Sequence, residues 1–240
     1  MRSLGVRFLD ALYPRECTLC GCGIARGGAH FYLCLGCEES LPWIASPCCH
    51  VCGVPFSGTI EGGRVCSQCV DLEPAFSRGR ALLQLKGRGR GLVHVLKYAK
   101  GEYLAPDLGR LLRRVEGFEV FIQGAVLVPV PLFSKKESKR GYNQSSVIAR
   151  AWAREVKSCE VQDLLLRKRA TPSQTGLSRV ERVENVKNAF AIRKKALLDP
   201  ETRYILVDDV FTTGSTFNAC AQVLRDAGAL SVGVAVLSHG

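Results

Sequence analysis

Two stretches of the chain carry the same spacing of cysteines. Cys17-Thr18-Leu19-Cys20 is followed after 13 residues by Cys34-Leu35-Gly36-Cys37, and Cys49-His50-Val51-Cys52 after 13 residues by Cys66-Ser67-Gln68-Cys69. The second set repeats the first at an offset of 32 residues, and Gly21 and Gly53 each follow the second cysteine. A C-x2-C turn puts two thiolates on one side of a tight loop, and glycine lets the backbone turn away sharply. Two such knuckles supply the four sulfurs of a tetrahedral Zn2+ shell with no open position, which predicts two structural rather than catalytic sites. So short a region has little core of its own, and the metal would provide much of its folding free energy. The predicted ligands are Cys17, Cys20, Cys34, Cys37, Cys49, Cys52, Cys66 and Cys69. Spacing alone leaves open whether knuckles pair in sequence or across the repeats, and whether Cys48 replaces Cys49. Cys22 and Cys48 are spare, and His50 is expected at the surface.

Ten of the 12 cysteines fall within residues 17–69. Residues 1–10 contain no uninterrupted apolar run of the kind a secretory signal needs, so a cytoplasmic protein with reduced thiols is expected. No apolar stretch is long enough to predict a membrane span. Charge is unevenly divided. Residues 1–78 hold 6 Lys and Arg against 7 Asp and Glu, whereas residues 79–240 hold 27 against 15. The basic excess points to a polyanionic ligand or partner of the second part.

After a junction at 71–74, Ala81–Leu85 reads as a strand. The basic, glycine-rich run from Lys86 to Gly91 reads as mobile, and helical spacing begins at Leu92. A second helix is expected over 104–115. Ala125–Pro131 suits a buried parallel strand, and Lys135, Lys136, Lys139 and Arg140 fall in the loop expected after it. Helical periodicity resumes over 143–156. The polar stretch 170–188 is long for a connector, which marks a functional or mobile loop. Tyr204–Val207 is a buried strand, the residues from Asp208 to Thr216 its loop, Cys220, Val223, Leu224 and Ala227 one face of a helix, and Val232–Leu237 another strand. Such a strand–loop–helix–strand unit predicts an α/β fold with a parallel sheet and flanking helices, preceded by the small zinc-ribbon unit. The expected domains are 1–73 and 74–240.

The loop after Val207 carries the chemistry. Open parallel sheets place ligands at the carboxyl ends of their strands. Thr212, Thr213, Ser215 and Thr216 offer hydroxyls, Gly214 allows close backbone approach, and a helix start near Ser215 supplies free N–H groups. That is a cradle for phosphate. Asp208 and Asp209 suit sugar hydroxyls or a Mg2+ shell instead. The loop therefore calls for a ribose 5-phosphate. It lacks the lysine of a Walker loop and the G-x-G-x-x-G of a dinucleotide site.

The stretch Ile205-Leu206-Val207-Asp208-Asp209-Val210-Phe211-Thr212-Thr213-Gly214-Ser215-Thr216 resembles the phosphoribosyl pyrophosphate (PRPP) motif of type I phosphoribosyltransferases. With the duplicated cysteines, Leu96-Lys97-Tyr98, Val128-Pro129-Val130-Pro131-Leu132, Arg140-Gly141-Tyr142-Asn143-Gln144 and the residues from Thr171 to Ser178, the whole chain resembles the ComF family of bacterial competence proteins. The resemblance implies a double zinc ribbon joined to a type I phosphoribosyltransferase-like domain. It implies that Asp208 and Asp209 take the ribose hydroxyls, and that Thr212, Thr213, Gly214, Ser215 and Thr216 take the 5-phosphate. Lys136 and Arg140 would take pyrophosphate with Mg2+, Lys97 would add charge there, and Gln174, Arg179 and Arg182 would belong to a closing flap. It further implies a role in DNA uptake, either as a transferase acting on an unidentified acceptor or as a non-catalytic PRPP-sensing or nucleic-acid-binding accessory. A DNA-uptake helicase is a candidate partner. Single-stranded DNA is a second candidate ligand, with Lys86, Arg88, Arg90, Lys97 and Lys100 for phosphates and Tyr98 for stacking.

Overall fold

A strand of unbroken apolar residues needs cover on both faces, and this chain builds that cover from helices and from its zinc repeats. The computed structural model describes residues 15–24, 28–56, 64–169, 188–194 and 196–240. Five strands form one sheet: β1 (Arg78–Gln84), β2 (Val126–Pro129), β3 (Glu160–Val161), β6 (Arg203–Phe211) and β7 (Ser231–His239), in the order β1-β7-β6-β2-β3. Every pairing in it is parallel. β4 (Leu165–Arg167) and β5 (Phe190–Ile192) make a separate antiparallel pair. Among the described residues the α-helices are α1 (Leu35–Glu39), α2 (Ser67–Leu72), α3 (Gly87–Tyr98), α4 (Ala105–Leu111), α5 (Phe118–Ile122), α6 (Ser134–Arg140), α7 (Gln144–Glu155) and α8 (Ser215–Asp226).

Side chains alternate across the sheet, as the strand period of two requires. Ile205 and Val207 of β6 join a core with Leu96 of α3, Leu108 of α4 and Trp152 of α7. Tyr204 and Leu206 face the other core, with Phe217, Cys220 and Leu224 of α8. The two zinc repeats divide between these cores. Leu33 and Leu41 of the first repeat join the α3–α4–α7 side, whereas Ile44, Cys49, Cys52 and Cys69 join the α8 side. The link between the repeats crosses the free edge of β1. There Ile44 donates its N–H to the Leu82 carbonyl at 2.9 Å, and Gln84 donates to that of Pro42 at 2.8 Å. That pairing covers an edge that would otherwise offer unpaired backbone groups. Close approach fixes the second repeat too: a Cβ on Gly79 of β1 would lie 2.9 Å from the Val51 carbonyl oxygen.

Polar contacts hold the first repeat. Asp107 of α4 is buried and accepts the N–H groups of Phe31 at 2.8 Å and Tyr32 at 2.7 Å. His30 sits between Glu38 at 3.0 Å and Asp107 at 3.7 Å, and Glu38 also meets Arg114 at 3.2 Å. Burial opposes charge on His30, but the two carboxylates outweigh it and raise its pKa.

Each repeat folds its own two knuckles together. The sulfurs of Cys17, Cys20, Cys34 and Cys37 lie within 4.8 Å of one another, and so do those of Cys49, Cys52, Cys66 and Cys69. The Cys20–Cys34 and Cys52–Cys66 separations are both 3.7 Å. Sulfurs about 2.3 Å from a tetrahedral zinc stand roughly 3.8 Å apart, so both clusters fit the ion. The Cys37 and Cys66 N–H groups donate to the sulfurs of Cys34 and Cys49, which supports thiolate charge. Pairing is therefore sequential and Cys49, not Cys48, is the clustered thiol. Cys22 lies 3.2 Å from Cys20, outside the set of four.

Three expectations are corrected. The basic stretch after Lys86 is not mobile: α3 begins at Gly87, and Arg88 is bonded to the Gly36 carbonyl and the Ser40 hydroxyl. Tertiary contacts there override the low helix propensity of glycine. Lys135, Lys136, Lys139 and Arg140 lie on α6 rather than a loop. The helix expected over 104–115 is divided into 3-10 turns at Gly101–Leu104 and Leu112–Arg114 around α4.

Closed shells whose walls join both cores make zinc a folding ligand. Metal analysis should return two zinc ions per chain, and Cys34→Ser should lower stability by several kcal/mol. Chemical denaturation of that variant beside Cys159→Ser checks this, because Cys159 stands in neither cluster.

Candidate functional site

The strand predicted to stop at Val207 continues through both aspartates to Phe211, because β7 continues to pair with it: Asp208 faces Val236, and Phe211 faces His239. The turn itself is Thr212–Gly214, followed at once by α8. Gly214 caps α8 with φ 76°, and a Cβ there would meet Leu72 at 2.7 Å and Phe211 at 2.8 Å. Only glycine fits such a position without strain. No side-chain hydrogen bond from the N-cap position closes the start of α8. The Thr213 and Ser215 hydroxyls stand 3.1 Å apart on the same turn, with Ser215 buried and Thr216 half-buried.

The two carboxylates have different surroundings. Asp209 is buried and meets the Lys97 ammonium from α3 at 2.8 Å. Lys97, expected near pyrophosphate, is thus placed on the acidic pair. Asp208 accepts at one oxygen from the Ser145 hydroxyl at 2.6 Å, the Asp209 N–H at 2.8 Å and the Gln144 amide at 3.5 Å. Loss of solvation, and then the neighbouring Asp209, push the Asp208 carboxyl up to about 7, against the Ser145 hydrogen bond and Lys97. Gln144 and Ser145 open α7, whose N-cap Asn143 accepts from Ser145 N–H at 3.1 Å and donates to the Val130 carbonyl at 3.0 Å. The end of β2 is thereby tied to the helix that steers Asp208.

Cations line the opposite wall. Desolvation, with Arg167 and Arg140 adding to it, lowers the Lys136 pKa, so these three charges crowd one another. Arg167 lies at the end of β4 and its own pKa is lowered by burial, with Cys220 and Asp208 acting the other way. Arg140 also bonds the Gln144 side chain. A cavity of about 440 Å3 lies beside Arg167, with Arg150, Arg193, Glu137 and Asp163 also in its lining. Crowded cations beside a cavity favour an anion that offsets their repulsion.

The structure therefore gathers Asp208, Asp209, Lys97, Thr212, Thr213, Gly214, Ser215, Thr216, Lys136 and Arg140 around the carboxyl ends of β6 and β2. Gln174, Arg179 and Arg182 lie outside the described residues. Ser145, Gln144 and Arg167 had no role in the sequence reading. Arg167 carried a signal, as the last strand residue before the long polar segment; Ser145 carried none, since only the fold brings α7 to β6.

Comparison with known proteins gives the relationship. The double zinc ribbon domain family matches residues 8–70, and the phosphoribosyl transferase domain family matches residues 143–239. Competence protein F of Haemophilus influenzae is 28% identical over 86% of this chain and 91% of its own. Competence protein ComFC of Bacillus subtilis is 26% identical over 82% of this chain and 79% of its own. DNA utilization protein YhgH of Escherichia coli is 31% identical over 92% of this chain and 95% of its own. From that near full-length likeness and the two domain matches, the chain belongs to the ComF family, with a double zinc ribbon ahead of a phosphoribosyltransferase domain.

Proposed function

We propose that this protein binds PRPP with Mg2+ at the carboxyl end of β6 and acts in DNA uptake and utilization, as the names of its relatives suggest. The observation that carries the reading is a helix start behind Gly214 with no side-chain cap, following two carboxylates, with Arg140 linked to Asp208 through Gln144 and Arg167 near the same carboxylate. A 5-phosphate on the first N–H groups of α8 puts the ribose over Asp208 and Asp209. The pyrophosphate then reaches the cations, and Mg2+ offsets its remaining charge. The same arrangement suits phosphoribosyl transfer. As the anomeric carbon–oxygen bond breaks, electrons pass to the departing pyrophosphate, where Lys136, Arg140 and Arg167 stabilise them. The carboxylates meanwhile hold the ring as it gains positive charge. Lys97 permits two adjacent carboxylates by neutralising one of them.

Single-stranded DNA is a second ligand with its own observation. Tyr98 is 70% exposed at the end of α3, with His94 and Arg140 against its ring. An open ring among cations suits base stacking. Arg88 and Lys97 are engaged inside the protein, which leaves fewer cations on this face for phosphates than the sequence promised.

Three outcomes are expected. Calorimetry should record Mg2+-dependent PRPP binding, weakened about ten-fold or more when Asp208→Asn is combined with Asp209→Asn, because charge-assisted hydrogen bonds are lost; unchanged affinity would remove the assignment.

The second is a pH effect. A folded pKa of about 7 stands above the ordinary value of 3.8, so the folded state binds this proton more tightly than the unfolded chain. Its contribution to stability is fully present below about pH 4 and is lost as pH rises through 7. Asp208→Asn should therefore raise the melting temperature at pH 8 relative to pH 5 while impairing PRPP binding, and wild-type PRPP affinity should rise across pH 6–8.

Third, binding of single-stranded DNA should weaken on Tyr98→Ala and with salt, by about 0.7 log units per log unit of salt for each phosphate neutralised.

A further inference from the structure

The second zinc repeat reaches the phosphate turn directly. Gln68, between ligands Cys66 and Cys69, donates its side-chain amide to the Thr212 carbonyl at 2.8 Å across 144 positions of sequence. Leu72, at the end of the same helix, lies under Gly214. The Ala75 N–H donates to the Asn218 side chain in the first turn of α8 at 2.6 Å, and Arg225 in the last turn donates to the Ala75 carbonyl at 2.7 Å. The segment from Ser67 to Ala75 thus holds the turn, the start of α8 and its end.

We propose that Gln68 is a positioning residue for the PRPP turn, and that the second zinc shell sets the geometry of the phosphate cradle through it. The inference rests on the PRPP reading above and adds which part of the chain shapes that site. In a trans peptide the C=O and the following N–H lie in one plane and point in opposite directions. Holding the Thr212 carbonyl on the ribbon side therefore turns the Thr213 N–H away from the ribbon and into the cradle. Thr212 is exposed, and a turn left to itself exchanges that peptide between orientations. A donor fixed between two zinc ligands removes this freedom before the phosphate arrives, so the ordering cost is met in folding rather than in binding. Zinc fits the second cluster, and its ligands Cys66 and Cys69 flank Gln68, so closing the shell fixes the backbone that carries the donor.

The test uses the full zinc-loaded chain with Gln68→Ala, which lacks the donor, and Gln68→Glu, which keeps the shape but sets a carboxylate against the carbonyl. Three measurements are made: zinc per chain, amide hydrogen exchange of residues 212–216 without ligand, and calorimetry with Mg2+ and PRPP. Both variants should keep two zinc ions and the wild-type melting temperature. Their turn amides should exchange faster, and PRPP should bind between about 3-fold and 10-fold more weakly, the span of one hydrogen bond. Exchange and affinity equal to wild type would overturn the proposal. Loss of zinc together with affinity would overturn it too, because the effect would then be one of folding. A wild-type protein that does not bind PRPP sinks the reading beneath, while the ligand-free exchange rates still decide whether Gln68 holds the turn.

Discussion

The hydrogen-bonded link across the edge of β1 is the contact on which the architecture depends. It sends one zinc repeat to each face of the sheet, where the repeats complete two different cores. A zinc ribbon on a flexible tether would leave Leu33, Leu41 and Ile44 exposed and β1 open. Here those apolar residues are buried in the two cores, and β1 is paired. At about 25 cal/mol per Å2 of apolar surface, three such side chains contribute several kcal/mol, comparable with the net stability of a small domain. The zinc shells then act on both cores at once.

The site balances like charges in two places. Two carboxylates meet at the end of β6 and three cations at the opposite wall. Burial first, and the like-charged neighbours second, raise the Asp208 pKa and lower that of Lys136. One internal pair, Lys97 with Asp209, sets a cation against one of the carboxylates.

The sequence disclosed what depends on local spacing. The duplicated C-x2-C spacing marked the eight ligands, whereas sequential pairing and the choice of Cys49 over Cys48 came only from the folded clusters. The unit β6–α8–β7 was legible from its periodicity, and Gly214 from the close backbone approach a phosphate cradle requires. What escaped was decided by distant neighbours. The strand extends through Asp208 and Asp209 because β7 remains beside it. A glycine-rich basic run is helical because Leu92, Val93 and Leu96 bury against the sheet and Arg88 finds Ser40 of the first repeat. Ser145, Arg167 and Gln68 gain their roles only when separate elements meet, and no window of sequence contains both sides of those contacts.

The division of charge along the chain now has a structural sense. The cysteine-rich first part is close to neutral before metal and carries extra negative charge once eight thiolates hold two zinc ions. The strongly basic second part contains the residues matched by the phosphoribosyl transferase domain family. Had the ribbons been the main nucleic-acid clamp, their charge would have the wrong sign for it. Their contacts are instead inward: Asp107 to the backbone beside His30, Arg88 to Gly36, and Gln68 to Thr212. Two of these three join a cation or amide to a carbonyl, a bond that fixes backbone rather than adding net charge. The ribbons therefore work as a brace. They pair the free edge of β1 and hold the turn at Thr212, and the net positive charge lies in the rest of the chain.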